Sequence, residues 1–378
     1  MLATMASQAL LVALSPMVVA VGKDLGASVG TVGQARSVAA GVAIIASLAS
    51  VRRVDGFGVR RLVSAGAALA VVAGAAIASA PTLAVFLAAH VLVGLAFACL
   101  LSAGFAGVAS FGPERRPWAI GYVAGANALA WIAVNPIVGA ITEWLSWRAA
   151  EVVPVAVAVA ALLAIPDADV APNRSSSAPQ LAALLREPSA RRWLGAEVVA
   201  FTAWTSLLTF VGAFFVERLG VPVAAAGWLL AAGAGAHFVA ATRSGWLVRL
   251  VARRRVVAAS ALTMAILLLV LLTLTASVLP AAATFCLLGL AAGIRSPAAS
   301  GLGLEQLPRH PGAMMAARTA ATQLGYLLGA VAGGAVISRG GYGTLGIVLA
   351  IGMAVSAVLI LRVDETGLSR KVPGSPRS

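Results

Sequence analysis

Long apolar segments recur along the whole chain, and short turns with charges, proline or glycine separate them. A bilayer core about 30 Å thick requires about 20 apolar residues per helix. By that length the sequence predicts twelve membrane-spanning helices. Their predicted bounds are 2–21, 29–51, 62–80, 82–106, 117–141, 147–165, 193–216, 223–248, 256–277, 280–304, 312–337 and 343–362.

One long polar stretch inside the chain, residues 166–192, divides these helices six and six. We therefore predict an all-α integral membrane protein with two pseudo-symmetric six-helix halves, residues 1–165 and 193–362. Residues 166–192 would be a cytoplasmic linker and residues 363–378 a cytoplasmic tail. Parallel repeats of this kind hold a substrate at their interface, near the midplane of the bilayer.

Composition and charge support a membrane protein. The chain is 61% hydrophobic and 11% charged, whereas soluble domains are about 45–50% apolar and about 25% charged. Of its 27 lysines and arginines, 20 fall on the side of the predicted linker, 4 on the opposite side and 3 inside spans. Cytoplasmic loops carry such an excess, so both termini are predicted to be cytoplasmic. Spans rich in alanine and glycine, with arginine favoured over lysine, favour a bacterial inner (plasma) membrane.

Three arginines, Arg36, Arg295 and Arg318, lie inside predicted spans. An arginine at the bilayer centre costs about 2.5–3.5 kcal/mol on insertion scales, so it normally faces a water-filled cavity or a partner. The sequence offers no matching acids beside them, and guanidinium groups bind carboxylate or phosphate in pairs of hydrogen bonds. These residues predict a polar path that favours an anionic or strongly polar substrate.

The sequence gives no sign of an enzyme or of a cofactor. Its three histidines are far apart and lack neighbours at metal-ligand spacing, so no metal site is predicted. No glycine-rich lysine loop indicates an ATP-driven pump, and no set of paired carboxylates or nucleophile and base gathers near one face. The basic residues form short clusters between spans rather than one face, which argues against nucleic acid as a partner.

Local motifs resemble the major facilitator superfamily. Between predicted helices 2 and 3, Asp55-Gly56-Phe57-Gly58-Val59-Arg60-Arg61-Leu62 is similar to the loop that latches the two halves of that family on the cytoplasmic side. In predicted helix 5, Asn135-Pro136-Ile137-Val138-Gly139 is similar to an element of its drug:proton antiporters. The resemblance implies a conformational gate formed by Asp55, Gly58, Arg60, Arg61, Asn135, Pro136 and Gly139.

The same resemblance directs attention to two proton-coupling candidates. His90 of predicted helix 4 stands where family antiporters commonly carry an arginine associated with proton transfer, and histidine titrates near neutrality. Glu197 is the one carboxylate that we place in the interior of a span, near the cytoplasmic end of predicted helix 7, since Glu151 lies near the outer end of predicted helix 6. A pairing of Glu197 with Arg191 or Arg192 is the structural alternative.

In this family, helices 1, 4, 7 and 10 usually line the cavity. The resemblance implies alternating access, with proton-coupled efflux of a small organic molecule as the leading function. Import of an anionic metabolite, or a non-transporting receptor or scaffold with the same fold, remain alternatives. The expected partners are a small-molecule substrate, protons and the lipid bilayer, and the expected state is a monomer. Predicted substrate-binding residues are Arg36, Asn127, Trp204, Arg295, Arg318 and Gln323.

Overall fold

The computed structural model describes residues 1–50, 58–109, 111, 114–165, 184, 186–308 and 311–365. These residues are almost entirely helical and include no strand. Ten of their helices are long and apolar enough to cross a membrane. The predicted all-α membrane fold is therefore confirmed.

Six helices form the N-terminal group. They are α1 (Leu2–Asp24), α2 (Val29–Val32 continued by Gln34–Ser50), α3 (Val59–Ala78), α4 (Leu83–Ala109), α5 (Arg116–Trp144) and α6 (Trp147–Ala150 continued by Val152–Leu163). The sixth ends at Leu163 and falls just short of a full span by length, although it begins where the sequence predicts.

The C-terminal group consists of the remaining long helices. They are α7 (Pro188–Ala213 with a π-helical end, Phe214–Arg218), α8 (Val223–Arg243), α9 (Arg253–Leu269 with a π-helical end, Val270–Leu274), α10 (Val278–Gln306), and α11 and α12 within Pro311–Leu361. Gly341, with φ of 71°, divides that last stretch into α11 (311–340) and α12 (342–361). A count of twelve is consistent with this division.

Three turns lie at the same end of the bundle, which we call the far end; α1 begins at the opposite, near end. Gly26, Gly220 and Gly341 lie in the α1–α2, α7–α8 and α11–α12 connections, and all three have positive φ. Glycine adopts this left-handed conformation without the steric cost that a Cβ adds. The chain therefore reverses tightly after the first helix of each group, and again before the last helix of the C-terminal group.

Each group packs mainly within itself. α1 packs against α4, α5 and α6, while α7 packs against α11 and α12, and α8 against α10. The main contacts between the groups join α5 to α8, α2 to α11, and α1 to α7. The division into halves at 166–192 stays a prediction, because most of that segment lies outside the described residues.

Candidate functional site

Glu197 lies on α7, has no exposed surface and is held by two arginines. Its Oε1 accepts a hydrogen bond from Arg295 Nη2 at 2.6 Å, and its Oε2 accepts one from Arg318 Nε at 3.1 Å. The expectation that the buried arginines lack matching acids is therefore wrong for these two. Both bonds are charge-assisted and bridge α7 to α10 and α11, so the three side chains form one cluster.

The alternative pairing of Glu197 with Arg191 or Arg192 is wrong as well. Both of these arginines are exposed, and Arg192 donates to the carbonyl of Arg362 at 3.3 Å. α7 begins at Pro188, so Glu197 lies about 13 Å along its axis at 1.5 Å per residue. The five residues from Arg192 to Glu197 also rotate the side-chain direction by about 140° around the helix axis. Glu197 therefore faces the helix bundle, deeper than the sequence indicated.

Serines and an aromatic ring complete the cluster. Arg295 Nη2 reaches Ser356 Oγ on α12 at 3.4 Å, and Arg318 Nη2 donates to Ser296 Oγ at 3.1 Å. The guanidinium of Arg318 lies 5.2 Å from the ring centroid of Phe201, a cation–π contact. With one carboxylate and two guanidinium groups, the cluster carries a net charge of +1.

A small pocket of about 40 Å³ adjoins this cluster. Trp204 stacks on His237 across it, with ring centroids 6.4 Å apart. Two buried nitrogens here, Arg295 Nε and His237 Nδ1, have no hydrogen-bond partner among the described residues. Buried polar atoms are normally paired, so two unpaired ones indicate a place for water or a ligand. The lining residues are Ala200, Phe201, Trp204, His237, Met264, Ala292, Arg295, Ser296, Arg318 and Met353.

Arg36 lies apart from that cluster, on α2, and is only 1% exposed. It donates to the Leu11 carbonyl from Nη2 at 2.7 Å and from Nε at 3.1 Å, and to Ser15 Oγ at 2.6 Å. It also donates to Thr209 Oγ1 at 3.1 Å. The partners are thus neutral groups on α1 and α7, which makes Arg36 a bridge between the two groups of helices.

Arg36 belongs to a row of polar contacts that we call the far seam. Its members join the two groups toward the far end. They are the hydrogen bonds from Ser15 Oγ to the Leu208 carbonyl (2.8 Å), from Arg36 to Thr209, from Gln34 Nε2 to the Ala330 carbonyl (3.0 Å) and from Ser37 Oγ to the Leu327 carbonyl (3.0 Å). The rings of Trp131 and Tyr326 flank the Arg36 guanidinium at 5.6 and 5.8 Å.

The predicted gate residues of α5 lie at the contact with α8. A Cβ added to Gly139 would lie 2.8 Å from the Val223 carbonyl oxygen, and one added to Gly227 would lie 3.0 Å from Pro136 Cα. Asn135 is buried beside them, and its Nδ2 donates to the Trp131 carbonyl at 2.6 Å. A glycine at position 139 permits this close approach of the two helices.

Three further gate candidates, Gly58, Arg60 and Arg61, lie at the near end. Gly58 precedes α3 as its N-cap residue, and Arg60 and Arg61 are exposed in its first turn. Asp55 lies outside the described residues. A latching role for this loop remains a prediction.

The remaining candidates do not join the Glu197 cluster. His90 on α4 is 5% exposed, and its Nδ1 lies 2.8 Å from the Phe86 carbonyl, the geometry of a donated hydrogen bond. Asn127 on α5 is exposed, and Gln323 on α11 is buried. Among the residues that the structure describes, no group of histidine, cysteine or acidic side chains is arranged to hold a metal ion.

Sequence reasoning missed several members of the site. Phe201 follows Glu197 by four residues on α7, and this helical spacing alone places it on the same face. Ser356 is fully buried on α12, which is not among the helices expected to line the cavity. No periodic signal distinguishes this serine from the other small residues of that span.

Comparison with protein families supplies the identity that the geometry lacks. A family model described as Major Facilitator Superfamily matches residues 1–222 and 193–377. The chain belongs to this superfamily. Membership identifies a multi-pass membrane transporter rather than an enzyme.

A solved structure has the same fold as this chain. A crystal structure of a D-xylose-proton symporter is similar with a TM-score of 0.74 and 15% identity, over 96% of each chain. At that identity the likeness shows the fold alone. A comparison with curated protein sequences finds no match.

The close contact between α5 and α8 yields a test of the transporter's motion. Replacing Gly227 with leucine is expected to separate the two groups at the far end, because its Cβ would meet the Asn135 carbonyl oxygen at 2.5 Å. Labelling of a cysteine introduced at Gln34 should then rise several-fold. Leucine at Gly235, where an added Cβ has open space, is the matched control. Equal labelling in both variants would contradict a tight α5–α8 contact.

Proposed function

We propose that the chain moves a small organic molecule across the membrane by alternating access, coupled to protons at Glu197. One observation carries this proposal: a fully buried carboxylate joins α7, α10 and α11 beside a pocket lined by residues with unpaired buried nitrogens. A coupling group must alternate between charged and neutral states. Glu197 meets that requirement next to the place where a substrate would bind.

Protonation of Glu197 would change the forces that hold its cluster together. The ionised form binds both arginines, whereas the neutral form leaves two buried guanidinium groups facing each other without a counter-charge. Such a difference biases one packing arrangement against another, which is what coupling to a conformational change requires. We assign coupling to Glu197 rather than to His90, whose Nδ1 donates to a backbone carbonyl within α4.

The far seam supports alternating access. Hydrogen bonds through Ser15, Gln34, Arg36 and Ser37 join the two groups of helices toward the far end. Release of a substrate on that side requires these bonds to break together, because the groups move as packed bodies. Rocking of one group against the other around a central site performs that step.

The direction of transport is a separate part of the proposal. Export rests on the likeness of Asn135-Pro136 and Gly139 to the antiporter element. Import of an anionic metabolite is the second candidate, and the net charge of +1 around Glu197 favours it. For either direction, we propose a bacterial inner membrane with both chain termini in the cytoplasm.

The test uses the purified protein in liposomes loaded with a pH-sensitive dye. Addition of a transported organic molecule should produce a pH change that the Glu197→Gln variant abolishes, because glutamine keeps the shape but does not titrate. The His90→Gln variant, which retains a side-chain donor, should keep the signal. Both variants must show wild-type helicity.

Three other outcomes are informative. Substrate movement without a pH change would reject proton coupling but retain transport. Loss of the signal in His90→Gln alone would move the coupling site to α4. Absence of any flux across a panel of organic acids, amines and neutral compounds would favour a receptor or scaffold with the transporter fold.

A further inference from the structure

The Glu197 carboxylate occupies an anion-binding site that is formed by two arginines. Arg295 Nη2 and Arg318 Nε hold its two oxygens at 2.6 and 3.1 Å. Guanidinium groups form the same charge-assisted bonds with a carboxylate of any origin. A carboxylate that entered the pocket would therefore compete with Glu197 for these donors.

The charges around Glu197 decide when such competition succeeds. The charged and titratable groups that face it within the described residues are Arg295 from α10, Arg318 from α11 and, across the pocket, His237 from α8. From α12 comes the neutral hydroxyl of Ser356. With neutral histidine, the cluster carries +1 when Glu197 is ionised and +2 when Glu197 is protonated. One bound monoanion restores the resting charge of +1.

The pocket walls indicate the rest of the ligand. Phe201, Trp204, Met264 and Met353 supply an apolar and partly aromatic surface. Arg295 Nε and His237 Nδ1 are buried there without partners among the described residues, so further polar contacts are available. The free volume of about 40 Å³ is far below the roughly 300–1,000 Å³ of pockets that hold organic ligands. In this conformation the protein's own carboxylate therefore fills the anion site.

Resting on the transport function proposed above, in its import direction, we propose that the substrate is an organic monocarboxylate with an apolar body. Its carboxylate takes the place of the Glu197 carboxylate on Arg295 and Arg318 when a proton from solution binds Glu197. One anion and one proton thus occupy the site together and cross the membrane in the same direction. Arg318, whose side chain is 18% exposed, lies on the accessible side of the cluster.

The way in which the proton affects substrate binding distinguishes this co-transport from proton–substrate exchange. Linkage is reciprocal, so a proton that strengthens anion binding is itself bound more tightly in the presence of the anion. A cationic substrate would instead compete with the proton, as exchange requires, and the net charge of +1 repels it. The number and sign of protons exchanged on binding therefore test the proposal directly.

The first experiment is titration calorimetry of the purified full chain with benzoate, in two buffers of different ionisation enthalpy. We expect uptake of up to one proton per benzoate, with affinity that weakens as the pH rises, because linked protons and anions strengthen each other's binding. The Glu197→Gln variant should bind benzoate with affinity independent of pH. Benzamide and phenyltrimethylammonium, a neutral and a cationic compound of similar shape, should bind neither protein.

The second experiment removes the internal anion. Thermal unfolding of Glu197→Ala in detergent at pH 8 should shift upward with acetate or benzoate and not with acetamide or benzamide, because the added carboxylate replaces the missing one. The control is Glu143→Ala, since Glu143 is an exposed carboxylate that accepts a hydrogen bond from Ala224 N at 3.0 Å. That variant should not respond to either anion.

The possible results separate this inference from the proposed function. Proton release on binding, or preference for the cation, would overturn the inference while leaving proton-coupled transport intact. Equal stabilisation of Glu197→Ala by inorganic phosphate would overturn the choice of a monocarboxylate. Failure of both Glu197 variants, with intact helicity, to respond to acetate or benzoate would overturn the anion site. Absence of all proton-linked flux would reject the proposed function as well.

Discussion

Replacing Glu197 with leucine is expected to reduce the free energy of unfolding by about 3–5 kcal/mol, the cost of breaking a buried ion pair by removing one partner. The effect should lie at the upper end, because the substitution leaves two guanidinium groups, Arg295 and Arg318, without their shared carboxylate. The measurement is an unfolding titration in mixed detergent micelles, in buffer free of carboxylates.

Two comparisons make this result specific. Glu143→Leu removes an exposed carboxylate that bonds a backbone N–H near the start of α8, and it should cost about 1 kcal/mol. Adding Arg295→Met to Glu197→Leu should recover part of the loss, because one uncompensated charge disappears. Equal losses for Glu197→Leu and Glu143→Leu would show that the two arginines do not depend on Glu197.

Replacing Trp193 with alanine is expected to cost about 3–5 kcal/mol, the range for truncating a buried aromatic residue. Trp193 has no exposed surface, its Nε1 donates to the Ala299 carbonyl at 3.0 Å, and it packs against Gly303. The residue lies one helical turn before Glu197 on α7. Its contacts with α10 therefore help to set the position of Glu197 opposite Arg295.

The matched control for Trp193 is Trp246→Ala. Trp246 is 57% exposed, and surface substitutions usually change stability by about 0.5 kcal/mol or less. Both variants are measured by the same unfolding titration, with proton-coupled flux as a second measurement. If Trp193→Ala unfolded like the wild type, the α7–α10 contact would not be a principal stabilising contact of the C-terminal helices.

The fold could be predicted from the sequence because the bilayer dictates the length and the apolar composition of each span. Membrane helices must be about 20 apolar residues long, and charged turns mark most of their ends. A proline marks each of the uncharged hairpins, Pro81 between α3 and α4 and Pro280 between α9 and α10. The bounds of α7 were less accurate, because Arg191 and Arg192 were taken for a loop, whereas they form exposed positions of its first turns.

Only part of the site could be predicted from the sequence. Arg295 and Arg318 stand out because charge is rare inside spans, and Glu197 stands out for the same reason. Their pairing with Glu197 could not be predicted, because Arg295 and Arg318 are 98 and 121 residues from it in the chain and no local pattern relates the three. Arg36 was also singled out by its charge. Its neutral partners Leu11, Ser15 and Thr209, however, could be identified only from the packing of α1, α2 and α7.

Four ion pairs between described side chains each join two helices of the same group. Asp24 pairs with Arg148 within the N-terminal group, and Glu197 and Glu305 pair with arginines within the C-terminal group. The far seam between the groups is made instead of hydrogen bonds to carbonyl and hydroxyl oxygens. Dissolved salt weakens attractions between exposed charges, but it has little to act on there. Opening of the far seam should therefore be insensitive to the electrolyte in which the cell lives.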